Sequence, residues 1–217
     1  MLADGRFPSG GHAHSGGLEA AAAAGRVTDV RGLEAFLQGR VATSGVIAAS
    51  FAAAACAGAC TGPRLAELGA GFEARTPAPA LRAASRKLGR QLLRTARAAR
   101  PDPRLDALAV SWPQGAHQPL VLGVTARVFA LAPHAAAAAA LHDAAAGPAT
   151  AAVRLLGLDP FEVQAVLAGL TPRLDELARE AGDRAGEPVA DLPAPGSPLL
   201  DISAEHHTTW EVRLFAS

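Results

Sequence analysis

Apolar positions recur along this chain with a helical period. Val30, Leu33, Phe36, Leu37 and Val41 follow one another at spacings of three and four behind Asp29, a good N-terminal cap. They predict a helix from Val30 to about Thr43. A second helix is predicted from Gly45 to Cys60, and another from Pro63 to before Pro77. The most periodic segment is 81–100, where Leu81, Leu88 and Leu92 share a stripe with Ala84, Ser85, Thr95 and Ala96. Shorter helices are predicted over 18–24, 105–112, 117–131, 134–146 and 149–156. Asp159-Pro160 and Thr171-Pro172 each set a capping side chain before a proline at the first helical position. They predict two more helices, one to Gly169 and one to about Ala185. Gly-rich residues 1–17 read as a flexible N-terminal loop. Residues 186–201, rich in Pro, Gly, Ser and Asp, read as a linker or mobile loop. Residues 202–217 form a polar tail that carries Trp210, Leu214 and Phe215.

Composition supports this pattern. Half of the 217 residues are apolar, but 54 of them are Ala, and Tyr is absent. Ala is the best helix former, whereas strands favour β-branched and aromatic side chains. The expectation is an irregular all-α bundle of roughly ten helices in a single domain, 1–217. The Ala-rich segments 42–59 and 135–146 are predicted to form its buried centre. No charge occurs from Val41 to Pro63, a length that would span a bilayer. Its Ala, Gly, Ser and Thr are weak insertion material, so a buried helix is predicted and a cytoplasmic protein expected. The N-terminus lacks a charged-then-apolar signal pattern.

Acidic and basic residues balance at 20 each, which argues against a polyanion binder by net charge. Lys87 is the only lysine, so the chain holds no phosphate-binding G-x-x-x-x-G-K-[ST] loop. Cys56 and Cys60 lack further ligands at zinc spacing and read as small core residues. His12 and His14, and His206 and His207, are pairs that could ligate nickel, copper or zinc, or could be structural or solvated. Ser15, flanked by His14 and Gly16, mimics a hydrolase nucleophile elbow but lacks the sheet that an elbow requires. Arg82, Arg86, Lys87, Arg90, Arg94, Arg97 and Arg100 give segment 82–100 a basic face without acids. That face suits solvent, an acidic partner, or the phosphates of a nucleic-acid-binding regulator. Exposing Trp and Phe is costly, so the tail either docks on a partner or packs back on its own bundle.

Four motifs, in order, resemble the UreF family of urease accessory proteins. The first runs from Arg6 to Glu19 and includes Pro8, Gly10, Gly11, Ser15, Gly17 and Glu19. The second is Ser85-Arg86-Lys87-Leu88-Gly89, and the third Ala152-Val153-Arg154-Leu155-Leu156. The last joins Ser203-Ala204-Glu205-His206-His207-Thr208 to Arg213-Leu214-Phe215. The resemblance implies an all-α, homodimeric, non-catalytic scaffold that binds UreD/UreH and the GTPase UreG and delivers nickel to apo-urease. Nickel would pass through the complex as cargo, with no tightly bound cofactor and no nucleic acid or membrane partner. By motif position, Glu19 and Arg154 are candidates for a GTPase-facing surface. His206, Arg213, Leu214 and Phe215 are candidates for docking on UreD/UreH. Trp210 in the same tail and Arg86 on the basic face complete the partner-contact set, and His12 and His14 are candidates for transient nickel contact. The chain departs from the family pattern at both ends: His12-Ala13-His14-Ser15 stands where aromatic-Ser-x-Ser is usual, and two tail positions differ. Glu205 stands where Arg is usual and His207 where Glu is usual, which reverses the local charge.

Overall fold

The computed structural model describes residues 14–58 and 62–215. These form α1 (Leu18–Ala23), α2 (Val30–Arg40), α3 (Val46–Ala57), α4 (Pro63–Ala74), α5 (Pro79–Ala99) and α6 (Pro103–Ser111). After them come α7 (Gln118–Val128), α8 (Pro133–Leu156), α9 (Pro160–Asp183) and α10 (Pro198–Thr208). The fold is all-α, and no sheet occurs among the described residues.

The centre is α3, packed between α7 and α8. Every residue from Ala49 to Cys56 is buried, as are Ala136, Ala137, Ala140, Leu141 and Ala145 of α8. Both Ala-rich segments thus supply the core through thin helices that approach closely. A methyl group on Gly123 of α7 would lie 2.2 Å from the Ala52 carbonyl oxygen. The Cys56 thiol is buried and donates to the Leu131 carbonyl at 3.4 Å; Cys60 lies outside the described residues. A second core joins α1, α2, the end of α8 and the start of α9 through Leu18, Leu33, Leu37, Ala149, Val163 and Leu170.

Three expected helix breaks are absent. Residues 41–45 continue α2 into α3 as a wide π turn, so Val30–Ala57 is one rod of 28 residues. Thr43 and Ser44 hydroxyls donate to the Gly39 and Arg40 carbonyls, at 2.8 and 3.4 Å, around the widened turn. This rod is long and apolar enough to cross a bilayer, but its inner face is covered by α7 and α8. Pro148 and Pro172 lie inside α8 and α9 and do not start new helices. An interior proline orphans the carbonyl four residues back. At Pro148 that carbonyl is Ala144, and Arg40 Nε donates to it at 3.0 Å. A donor distant in sequence thus repairs the ladder that local chemistry would break.

Segment 186–201, expected to be a linker or mobile loop, is packed against α4. Val189 and Leu192 are buried, and Val189–Asp191 forms a 3₁₀ turn. Arg75 holds it by donating to the carbonyls of Val189, Leu192 and Pro193 at 2.8, 3.0 and 3.0 Å. Pro and Gly keep residues 186–197 out of α-helix and Arg75, at the end of α4, fixes their path, whereas 198–201 of the expected linker and 202–208 of the expected tail form α10, which Pro198 opens at the first helical position.

Candidate partner-docking site

The two ends of the chain meet at one carboxylate. The backbone enters α1 through Gly16 and Gly17, both at positive φ, and a methyl on Gly17 would meet Leu200 of α10 at 2.3 Å. Ser15, only 1% exposed, accepts a hydrogen bond at its hydroxyl from the Glu19 amide at 3.3 Å. This turn swings Glu19 inward. Its carboxylate accepts from His207 Nε2 at 3.0 Å, from the Leu214 amide at 2.8 Å and from the Phe215 amide at 3.0 Å. Trp210 packs on the His207 ring with centroids 4.6 Å apart, and its Nε1 donates to His206 Nδ1 at 3.3 Å. A buried carboxylate is costly unless its lone pairs are filled; here the tail fills them.

This geometry relocates two candidate residues. Glu19 is buried and holds the tail, rather than facing a surface. Phe215 packs into the second core. Ser15 caps a turn in the interior, which argues against a nucleophilic role. The remaining tail candidates face solvent: His206 and Arg213 are exposed, Leu214 is 73% exposed, and Trp210 is half-buried. Arg154 is exposed near the end of α8. Pro8, Gly10, Gly11 and His12 lie outside the described residues. His14 lines a cavity described below. No group of three or more His, Cys, Asp or Glu placed to hold a metal occurs among the described residues.

The departures at 205 and 207 have local partners. Glu205 accepts from the Ala80 amide at 2.7 Å, capping the start of α5, where a negative charge meets the helix dipole favourably. His207 faces Glu19. The charge reversal therefore satisfies one helix start and one buried acid.

The second motif docks α5 on the start of α7. Ser85 Oγ accepts from the Gln118 amide at 3.2 Å, one of the donors a helix start leaves unpaired. One turn on, a methyl on Gly89 would meet the Ala116 carbonyl oxygen at 2.0 Å. Much of the basic face is spent internally. Arg86 pairs with Glu73, Arg82 donates to the Thr76 and Pro77 carbonyls, Arg90 donates to the Gln114 carbonyl, and Arg97 pairs with Asp106. These bonds weaken the case for a phosphate-tracking surface, and they make Arg86 an anchor within the bundle.

Sequence reasoning missed Glu73, Arg86 and His117 as a cluster. His117 is buried, with Nε2 3.3 Å from Glu73 Oε1, and Nδ1 has no partner. That pattern fits the neutral ring with the proton on Nε2. Desolvation, then the charges of Arg86 and Arg82, lower its pKa to about 4. The folded state thus binds fewer protons than the unfolded chain between pH 6.5 and 4, and stability falls as pH drops through that window. Asp143, pushed up to about 7, acts in the opposite direction over this window, so the His117 contribution is read by difference: the urea midpoint of wild type relative to His117→Gln should fall between pH 7 and pH 5.

Comparison with known proteins follows the same lines. The UreF family model matches residues 27–171. "Urease accessory protein UreF" of Mycobacterium sp. (strain JLS) is 44% identical over 216 residues, covering 100% of this chain and 96% of the relative. Its namesakes in Mycolicibacterium vanbaalenii, over 217 residues, and Mycobacterium tuberculosis (strain H37Rv), over 216, are each 42% identical with the same coverage. All three relatives are named as accessory proteins, not as enzymes.

Proposed function

The chain belongs to the UreF family and is a non-catalytic protein of urease maturation; from that premise we infer that it scaffolds the complex of UreD/UreH and the GTPase UreG that delivers nickel to apo-urease. Similarity over the whole chain, including both terminal motifs, carries this reading. The geometry adds a surface for it. Leu199 and Ile202 on α10 and Val212 and Leu214 beyond it are 66%, 65%, 81% and 73% exposed, an unusual concentration of exposed apolar side chains in one stretch of chain. This stretch is the proposed UreD/UreH contact, and exposed Arg154 is the proposed UreG contact. The working unit is a cytoplasmic homodimer, through which nickel passes as cargo.

Co-expression followed by pull-down tests the assignment. The wild-type chain should capture UreD/UreH and, through the assembled complex, UreG. Leu214→Asp should cut capture of UreD/UreH at least tenfold. The Leu214 amide donates to Glu19, so Leu214→Asn, which adds no charge beside that carboxylate, should give the same loss and separates docking from release of the tail. Arg154→Glu should lose UreG alone. Capture of neither partner by the wild-type chain overturns the reading. His12 and His14 are proposed to touch nickel in transit; unchanged urease activation in the double His→Ala variant removes that step.

A further inference from the structure

Unusual backbone features converge on one cavity of about 410 Å³. The π turn after Arg40, the interior proline at 148 and the left-handed Gly16 all border it. Its wall is mostly apolar, with Ile47, Phe72, Leu81, Leu88, Leu200 and Phe215 among the lining side chains. The volume falls within the range of small-molecule sites. Arg40 is one of a few polar groups in this wall, with Arg75, His142, Gln118, Asp143 and Asp201. Its Nε and Nη1 are spent on the Ala144 and Gly16 carbonyls, at 3.0 and 2.8 Å. Among the described residues no carboxylate pairs with it, and its Nη2 has no protein acceptor. Desolvation pulls its pKa down to about 10. A guanidinium with no paired carboxylate and one nitrogen left over, beside a mostly apolar wall, is an incomplete pair.

We propose that this cavity binds a small amphiphilic monocarboxylate, its head group on Arg40 and its hydrocarbon body against the apolar wall. The carboxylate completes the guanidinium fork at Nη2, and the chain buries apolar surface now facing solvent. Two acids also border the cavity, Asp143 and Asp201. Asp143 accepts from Gln118 Nε2 at 3.4 Å, and the surrounding walls push its carboxyl up to about 7. Burial likewise raises Asp201. Neither acid pairs with Arg40, so the guanidinium Nη2 stays available to an incoming anion. This inference is independent of the urease assignment.

Calorimetric titration of the full chain at pH 7.5 with octanoate, and with 1-octanol as its uncharged counterpart, tests it. Octanoate should bind one-to-one and at least tenfold more tightly than octanol. Arg40→Met should bring the two affinities within threefold. Because Arg40 also braces Ala144 and Gly16, Arg40→Lys is the second variant: it keeps the charge and should keep a preference for octanoate. Ala84→Phe fills the cavity from half-buried wall on α5 and should abolish binding while leaving the circular dichroism spectrum intact. No octanoate binding to the wild-type chain, equal affinities for the two probes, or unchanged binding in Ala84→Phe each overturn the proposal.

Discussion

Replacing Glu19 with Ala should cost about 4 kcal/mol of folding stability and release the C-terminal tail. The estimate rests on what is left behind. The carboxylate accepts from an imidazole and the Phe215 amide, both buried, and from the part-buried Leu214 amide. Hydrogen bonds to a charged group contribute roughly 1.5–3 kcal/mol each, and removing one partner of a buried charged network costs about 3–5 kcal/mol in total. Lost bonds in one network do not add fully, which sets the figure below their sum. Glu19→Gln should fall between wild type and Ala. It keeps one acceptor oxygen but turns an NH₂ toward an N–H that needs an acceptor. Urea denaturation measures the loss, and amide exchange locates it. The Leu214 and Phe215 amides should lose protection in the Ala variant while amides of α3 and α7 keep theirs. A stability change below about 1 kcal/mol, or retained protection at 214 and 215, would show that Glu19 does not hold the tail.

That carboxylate also marks the limit of reading by sequence. Periodicity along α2 and α5 and the Ala content of 42–59 and 135–146 were local signals, and they gave helices and core in the right places. Pro148 and Pro172 misled because a local rule predicts a break, whereas the repair at Pro148 comes from Arg40, 108 positions away. Segment 186–201 misled for the same reason, since Arg75 lies outside its composition. Glu19 was singled out by its motif. Nothing in the spacing of residues 19, 207, 214 and 215 announced that they meet. Arg40 did leave a trace, as the last charge before the uncharged run from Val41 to Pro63. A single charge at the edge of such a run is a candidate for burial with an unusual partner.

Gly89→Ala should destabilise the protein by about 2–3 kcal/mol, against the direction that helix propensity predicts. In an exposed helix interior, Gly to Ala gains about 1 kcal/mol. At Gly89 the added methyl would sit 2.0 Å from the Ala116 carbonyl oxygen, and no flexible side chain is there to move aside. Helix α5 must therefore back away from the start of α7. That movement also lengthens the bond from the Gln118 amide to Ser85, leaving a helix-start donor short of its acceptor. Overpacking of this kind typically costs about 1–3 kcal/mol, and the lost cap adds about 1 kcal/mol, partly offset by propensity. For a chain of this size the change corresponds to a Tm lower by roughly 5–10 °C. Gly169→Ala is the matched control. It lies in mid-helix on α9 with nothing within 4 Å of the new methyl, and it should stabilise by about 0.5–1 kcal/mol. Opposite signs for the two substitutions would mean that the Ser-Arg-Lys-Leu-Gly motif is maintained by close approach of two helices. The same sign for both would mean that Gly89 is not a contact point, and that α5 is held to α7 by other side chains.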